Sequence, residues 1–209
     1  MKQETNIIHK PRISIKVHKL GPIPSIGIPL CTCRDDAPCK TSGKCYAMHG
    51  KYKTKSVQKG LMNNYLAYKE NPDYFFEKIA VDVMPYRFFR WFTSGDIVDA
   101  RFLEGMVYVA KKARHTKFLA YTKKFSIVND YLRNGGKLPK NLKIIFSGWG
   151  ANFPILNPFD LPTSHVIFKD PAENVNIPEG FYHCSGKCNE CAMCWKLKNG
   201  EAVAFEEHR

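Results

Sequence analysis

Acidic residues are scarce in this chain: 19 Asp and Glu stand against 32 Lys and Arg among 209 residues, a formal charge of +13. An excess of that size suits a polyanionic partner, nucleic acid first and an acidic protein second. The lysines are scattered, with denser patches at Lys51, Lys53, Lys55 and Lys59, at Lys111, Lys112, Arg114 and Lys117, and at Lys123 and Lys124. Long apolar runs are missing too. No stretch approaches the roughly 18 residues that would span a bilayer, and Met1 to Lys10 carries charge without the apolar centre of a secretory signal. A cytoplasmic location, with no membrane partner, is the expectation. Absent as well are a Ser–His–Asp pattern, a phosphate-cradling glycine loop and an HxxxH pair, which leaves ordinary hydrolase and NTPase chemistry without support. No internal repeat or low-complexity stretch occurs.

What is present is enough apolar material for a core, 44% hydrophobic and 13% aromatic residues, so the chain is read as one α/β domain over residues 1–209. Arg12 to Leu20 alternates Ile13, Ile15 and Val17 against polar neighbours and predicts a half-buried strand. Gly21 to Pro29, rich in proline, predicts an extended loop. Ser56 to Glu70 reads as a helix, and Pro72 opens a second one running towards Met84. Arg87 to Thr93, Lys117 to Thr122, Leu142 to Ser147 and His165 to Lys169 read as strands. Ala100 to Arg114 and Ser126 to Asn134 read as the helices between them. Such alternation predicts parallel βαβ units, closing into a partial (βα) barrel or an open, mostly parallel sheet. Trp195 to Leu197 and Ala202 to Phe205, around Asn199-Gly200, predict a hairpin.

The eight cysteines fall in two segments, 31–45 and 184–194, near the two ends. In a reducing cytoplasm, thiols this close are metal ligands rather than disulfides. Cys184, Cys188, Cys191 and Cys194 lie within eleven residues. A zinc knuckle sets two CxxC pairs apart on a longer loop, and this ladder does not. It looks more like the CxxCxxC of clostridial-type ferredoxins, which grips three corners of a cubane, with Cys184 for the fourth. The expected cofactor is one or two iron–sulfur clusters of the [4Fe-4S] kind, with zinc as the alternative. Two such clusters at about −2 each would leave the protein near +9. Cys31, Cys33, Cys39 and Cys45 are more loosely spaced. Cys31 and Cys33, one residue apart, rarely both bind one ion, so one of the two is spare or reaches elsewhere, and three firm ligands leave room for an open iron corner. A single cluster drawing on both segments is also compatible with the spacing.

At these residues the sequence resembles the gene-product-eighty-eight-like proteins of phages and other mobile elements. The likeness lies in Cys45-Tyr46-Ala47, Arg90 to Asp96 (RWFTSGD), Tyr121-Thr122-Lys123, Ser147-Gly148-Trp149, and Cys184 to Trp195 followed by Val203-Ala204-Phe205 and His208. It implies a phage or mobile-element protein working in the host cytoplasm, and brings no settled activity. The order of elements is also similar to the half-barrel of radical S-adenosylmethionine enzymes. The departures are large: CxxxCxxC appears only at Cys184, Cys188 and Cys191, after the barrel strands, and no Gly-Gly-Glu strand is visible.

Ligands of α/β sheets gather at the carboxyl ends of the strands, which makes Ser94, Asp96, Thr122, Lys123, Ser147 and Lys169 candidates to line a mouth. Asp96 and Lys123 are the catalytic candidates. Capping of the following helix is the plainer role for Asp96, and solvation the plainer one for the lysines. Tyr121 and Trp149 are read first as core and second as stacking platforms. His183 and His208 are placed beside the C-terminal cysteines, outside the ligand shell. Two functions follow: redox or radical-type chemistry at a cluster near the strand ends, or a metal-stapled nucleic-acid-binding module without catalysis.

Overall fold

A computed structural model describes residues 8–15, 20–150, 153–174 and 177–207. Its frame is a six-stranded sheet in the order β1-β2-β3-β4-β6-β5, every pair parallel, curled into an open half-barrel. The strands are β1 (Phe88–Arg90), β2 (Lys117–Thr122), β3 (Leu142–Ser147), β4 (Thr163–Ile167), β5 (Tyr182–His183) and β6 (Ala202–Glu206). The helices are α1 (Pro38–Thr41), α2 (Lys55–Glu70), α3 (Pro72–Val83), α4 (Ala100–Lys112), α5 (Phe125–Arg133) and α6 (Cys188–Cys191). The expected α/β half-barrel is thus the fold found, and β2 and β3 take the bounds their apolar runs predict.

The period of two along each strand sorts the side chains into two cores. Phe89, Phe118, Ala120, Leu142, Ile144 and Phe146 point to the convex side, where α3, α4 and α5 cover them. Phe76, Trp91 and Phe102 interlock there edge to face. Gly105 lets α4 lie on α3, since a β-carbon would stand 2.1 Å from the Phe76 ring. The concave side carries Leu119, Ile145 and Val203, covered by Leu20 and Ile23 from the N-terminal segment and by Trp195 and Leu197 from the C-terminal one. A second, smaller core therefore fills the inside of the half-barrel, and the cysteine-rich tail supplies its lid.

Two predicted elements differ. Arg12 to Leu20 forms no regular strand among its described residues: Ser14 makes one isolated antiparallel bridge to Ser25, and Ile15 is 47% exposed. Val17 lies outside the described residues. The following loop instead takes the edge place beside β1, exchanging Arg90 N–H to Pro24 carbonyl (3.0 Å) and Ile26 N–H to Arg90 carbonyl (3.1 Å). The predicted C-terminal hairpin is not formed. Strand β6 has β4 on one side and β5 on the other, both parallel, so no edge is left for Trp195 to Leu197. Trp195 instead ends a 3-10 helix, Met193–Trp195, and Trp195 and Leu197 are buried in the concave core. Asn199-Gly200 only redirects the chain, with Gly200 at φ +80°.

Candidate metal centres

The extended loop beside β1 delivers the first cysteine segment to the carboxyl ends of the strands. Its approach depends on Gly95, at φ +80°, where a β-carbon would lie 2.6 Å from Thr32 Oγ1 and 2.7 Å from the Ile28 carbonyl. Thr32 is buried in the turn between Cys31 and Cys33, and its hydroxyl oxygen accepts the Asp96 N–H at 3.1 Å. Cys33, Cys39 and Cys45 converge there. Cys45 donates a hydrogen bond to Cys39, and Cys33 lies within electrostatic reach of both. Cys31 is exposed.

The surroundings divide these thiols. Burial, reinforced by the carboxylate of Asp96, pushes Cys33 up to about 12. Cys39 is held down to about 6, first by the hydrogen bond from Cys45 and then by the charge of Lys123, against the opposing effect of burial. Cys45, the donor of that bond, moves upward. A thiolate is thus favoured at one place in the trio, and thiolates are what bind metal.

Asp96 does not cap α4. Asp99 does, accepting the Phe102 N–H at 2.9 Å. Asp96 instead lies buried between β1 and β2, accepting from the N–H groups of Ile97 (2.7 Å) and Lys123 (2.8 Å) and from the Thr122 hydroxyl. Burial raises its pKa, and these three donors oppose the rise. Its role is to hold the turn around Cys33 against the end of β2. The Lys123 ammonium is not merely solvated: it donates to Ser147 Oγ at 2.7 Å, lies 5.7 Å from the centroid of the Trp149 ring, and faces Cys33 and Cys39. Trp149 itself meets Phe168 edge-on. Ser94 is buried with no partner for its hydroxyl among the described residues. Lys169 is exposed, its N–H directed to Glu207, and is not gathered with the thiols.

The second segment leaves edge strand β5 and folds over the concave face. The Cys184 N–H donates to the Ala204 carbonyl at 2.7 Å, fixing the start of the tail to β6. Trp195 Nε1 donates to the Phe89 carbonyl at 3.2 Å, and its ring packs edge-on against Phe88. Between these anchors Cys184, Cys188, Cys191 and Cys194 line one small cavity of about 20 Å³. Ala192, at φ +49°, turns the chain so that Cys194 comes back towards Cys184 and Cys188. Burial pushes Cys194 up to about 11, while the Tyr121 hydroxyl bonded to it pulls the other way. His183 does not approach this set. Its strand position points it to the opposite face, where Nε2 is 3.0 Å from Glu206 Oε1. His208 lies outside the described residues.

Sulfur donors in sets of three and four suit iron–sulfur or zinc. Two sulfurs on one tetrahedral ion lie about 3.8 Å apart, given Zn–S near 2.3 Å. Among the described residues no three His, Cys, Asp or Glu side chains are gathered closely enough to hold a single ion. The cavity among the C-terminal cysteines is atom-sized. A cavity of about 330 Å³, lined by Leu138, Leu142, Phe159 and Leu161, lies at the other end of the strands, with no thiol in its lining.

Sequence reasoning missed Arg90, Tyr46 and Tyr52. The two phenol hydroxyls both donate to the Thr93 carbonyl at 2.8 Å, bracing the first thiol segment against the exit of β1. Arg90 carries a sequence signal as a cation at an inward position of an apolar strand, a feature it shares with Lys143 of β3.

Comparison with protein families matches the model of Gene product 88 over residues 9–198. That span is most of the chain, and the protein belongs to this family. No curated protein matches. No solved structure matches either. The likeness to radical S-adenosylmethionine enzymes has no support beyond the curl of the sheet.

Proposed function

We propose that this member of the Gene product 88 family is an iron–sulfur protein whose working centre sits at the mouth of the half-barrel. Cys33, Cys39 and Cys45 would hold one cluster, and Cys184, Cys188, Cys191 and Cys194 a second. The observation that carries this reading is the split within the first segment. Cys33, Cys39 and Cys45 act on one another's ionisation at the strand ends while Cys31 is exposed, which gives three firm ligands where a closed cubane takes four. A bound cluster supplies one-electron transfer and, at an iron with no fourth thiolate, a place for a substrate atom. The chain's own residues do the rest. Lys123 presents a cation to Cys33 and Cys39 and so favours their ionised forms. Asp96 and Gly95 hold the Cys33 turn at the mouth, and Trp149 offers an aromatic wall beside Lys123.

Anaerobic purification followed by iron, sulfide and zinc analysis tests the reading. Brown protein with iron and sulfide in near-equal amounts is expected, and half the iron should go when Cys39 is replaced by Ala. Replacing Cys188 by Ala should remove the other half and destabilise the fold, because the tail is tied to the metal. Colourless, folded protein with zinc or no metal would refute it.

A second reading has its own observation. Lys51, Lys53, Lys55 and Lys59 are all exposed where α2 begins, close in sequence to Cys45. In that case the metal only fixes the fold, and this cationic edge binds nucleic acid. Binding would then weaken steeply with salt and be indifferent to cluster reduction.

A further inference from the structure

Strand β3 is paired with β2 from Leu142 to Phe146, but β4 joins it only at Phe146 and Ser147. The parallel ladder alternates, so Lys143 and Ile145 turn their backbone groups to β2, while Leu142 and Ile144 turn theirs to the other side. There the Leu142 N–H donates to the Pro139 carbonyl at 2.8 Å. The Leu142 carbonyl and both backbone groups of Ile144 find no partner among the described residues. The segment that could have met them stands off. One step further along the ladder, the Ile144 carbonyl would face the nitrogen of Pro162, which has no hydrogen. The Ile144 N–H would face the Asp160 carbonyl, which accepts the Gly200 N–H instead, at 2.8 Å. Asp160 turns the chain away at φ +54°. The Asn157 side chain takes up both groups of Leu161, accepting its N–H at 2.9 Å and donating to its carbonyl at 2.7 Å.

The gap left between β3 and this segment is the cavity of about 330 Å³, and its walls are largely apolar: Leu132, Leu138, Leu142, Ile144, Phe159 and Leu161. Lys140 and Lys143 line it as well, and no carboxylate among the described residues does. Lys140 is exposed and Lys143 half-buried, and neither is ion-paired among the described residues. Glu201, whose charge reaches Lys143, is itself bonded to the Lys198 N–H at 2.7 Å. Backbone groups inside a fold are nearly always paired, so an open strand edge in an apolar slot marks a place for another chain.

We infer that this slot binds an extended peptide of an acidic partner protein, which adds to the open edge of β3 as a short strand. The peptide donates an N–H to the Leu142 carbonyl and accepts the Ile144 N–H. One of its apolar side chains fills the slot, and flanking Asp or Glu residues meet Lys140 and Lys143. The stretch from Leu142 to Ile145, at roughly 3.3 Å per residue, gives room for about three or four residues of peptide. A chain of formal charge +13 favours an acidic sequence there. No thiol lines the slot, so the inference stands apart from the metal reading.

Two measurements on the full-length protein test this. Residue-resolved hydrogen exchange reads the edge itself: the Ile144 amide should exchange well ahead of those of Lys143 and Ile145, and slow down when peptide binds. Fluorescence polarisation reads binding, with a fluorescein-labelled probe of sequence Asp-Glu-Val-Leu-Val-Glu-Asp. Successive peptide nitrogens face opposite sides of a strand. Methylating the leucine nitrogen or the next one should therefore weaken binding by about tenfold in one case and little in the other. Lys140→Met and Lys143→Met should each weaken it by about two- to threefold at low salt. Leu138→Glu sets a negative charge in the slot and should abolish it. Should that variant fail to fold, the two methylated probes still decide on the wild type. No polarisation change at millimolar probe would overturn the inference, as would equal losses from both methylations. An Ile144 amide as protected as its neighbours would do the same, and so would equal binding of the probe with Lys in place of its acidic flanks.

Discussion

Cys39 should behave unlike any other thiol in the chain. The perturbation is removal of metal under reducing conditions, followed by attack on an aromatic disulfide reagent across pH 5 to 10. With Cys39 held at about 6 rather than at an ordinary 9.0, its thiolate fraction at pH 7 is about 0.9 instead of about 0.01, a gain of roughly 90-fold. A thiolate of lower pKa is intrinsically less nucleophilic, by about 20-fold over three units with a Brønsted slope near 0.45. The net advantage at pH 7 is therefore only about fourfold. The pH profile is more telling than the rate: the fast phase should rise with an inflection near 6 and be flat above 8. Replacing Cys45 with Ala removes the largest cause and should move the inflection upward. Lys123→Met should move it less, because the lysine charge ranks below that bond. Stopped-flow absorbance gives the rates, and circular dichroism checks that the stripped protein is folded. A single inflection in the usual thiol range, unchanged by Cys45→Ala, would refute the convergence of Cys33, Cys39 and Cys45.

Further outcomes follow from the same geometry. Asp96→Ala deprives the Ile97 and Lys123 N–H groups and the Thr122 hydroxyl of their acceptor. It should cost on the order of 3 kcal/mol in urea unfolding and loosen the Cys33 turn. Gly105→Ala forces a β-carbon into the Phe76 ring and should destabilise by about 1–3 kcal/mol in the same assay, without altering metal content. Burial lowers the pKa of His165 below its ordinary 6.5. The unfolded chain therefore binds a proton first, and this contribution, fully present above about 6.5, is lost as the pH falls towards the folded-state value. His165→Gln should flatten the acid limb of the stability profile measured between pH 7 and 5. Trp195→Ala should release the C-terminal tail from Phe88 and Phe89 and show as faster hydrogen exchange in residues 184–197 with β2 still protected.

Much of the frame was legible in the chain. The runs KFLAYT and LKIIFS are apolar on both faces, as strands buried between two layers must be, and they became β2 and β3 with the expected bounds. The helices announced themselves through Pro72, through the apolar spacing from Phe102 to Ala110, and through the stop at Gly135. The tail misled because Asn199-Gly200 carries a hairpin's local chemistry, while the partners of Ala202 to Glu206 come from residues about 20 and 40 positions away. Asp96 misled in the same manner: it looks like a cap, and three residues on Asp99 is one.

By itself the sequence determined the alternation of strands and helices, the parallel sheet and the presence of eight thiols in two close-spaced sets, because those follow from periodicity and local spacing. Only the tertiary structure decided which thiols meet and which side chains stack. Cys31 and Cys33 are equivalent in any spacing argument, and it is the close contact of Gly95 with Thr32 that aims the second at the mouth. Arg90 and Tyr121 are thirty-one positions apart. They stack because β1 and β2 are parallel neighbours whose inward residues share one face, a relation that depends on register, which local spacing does not encode.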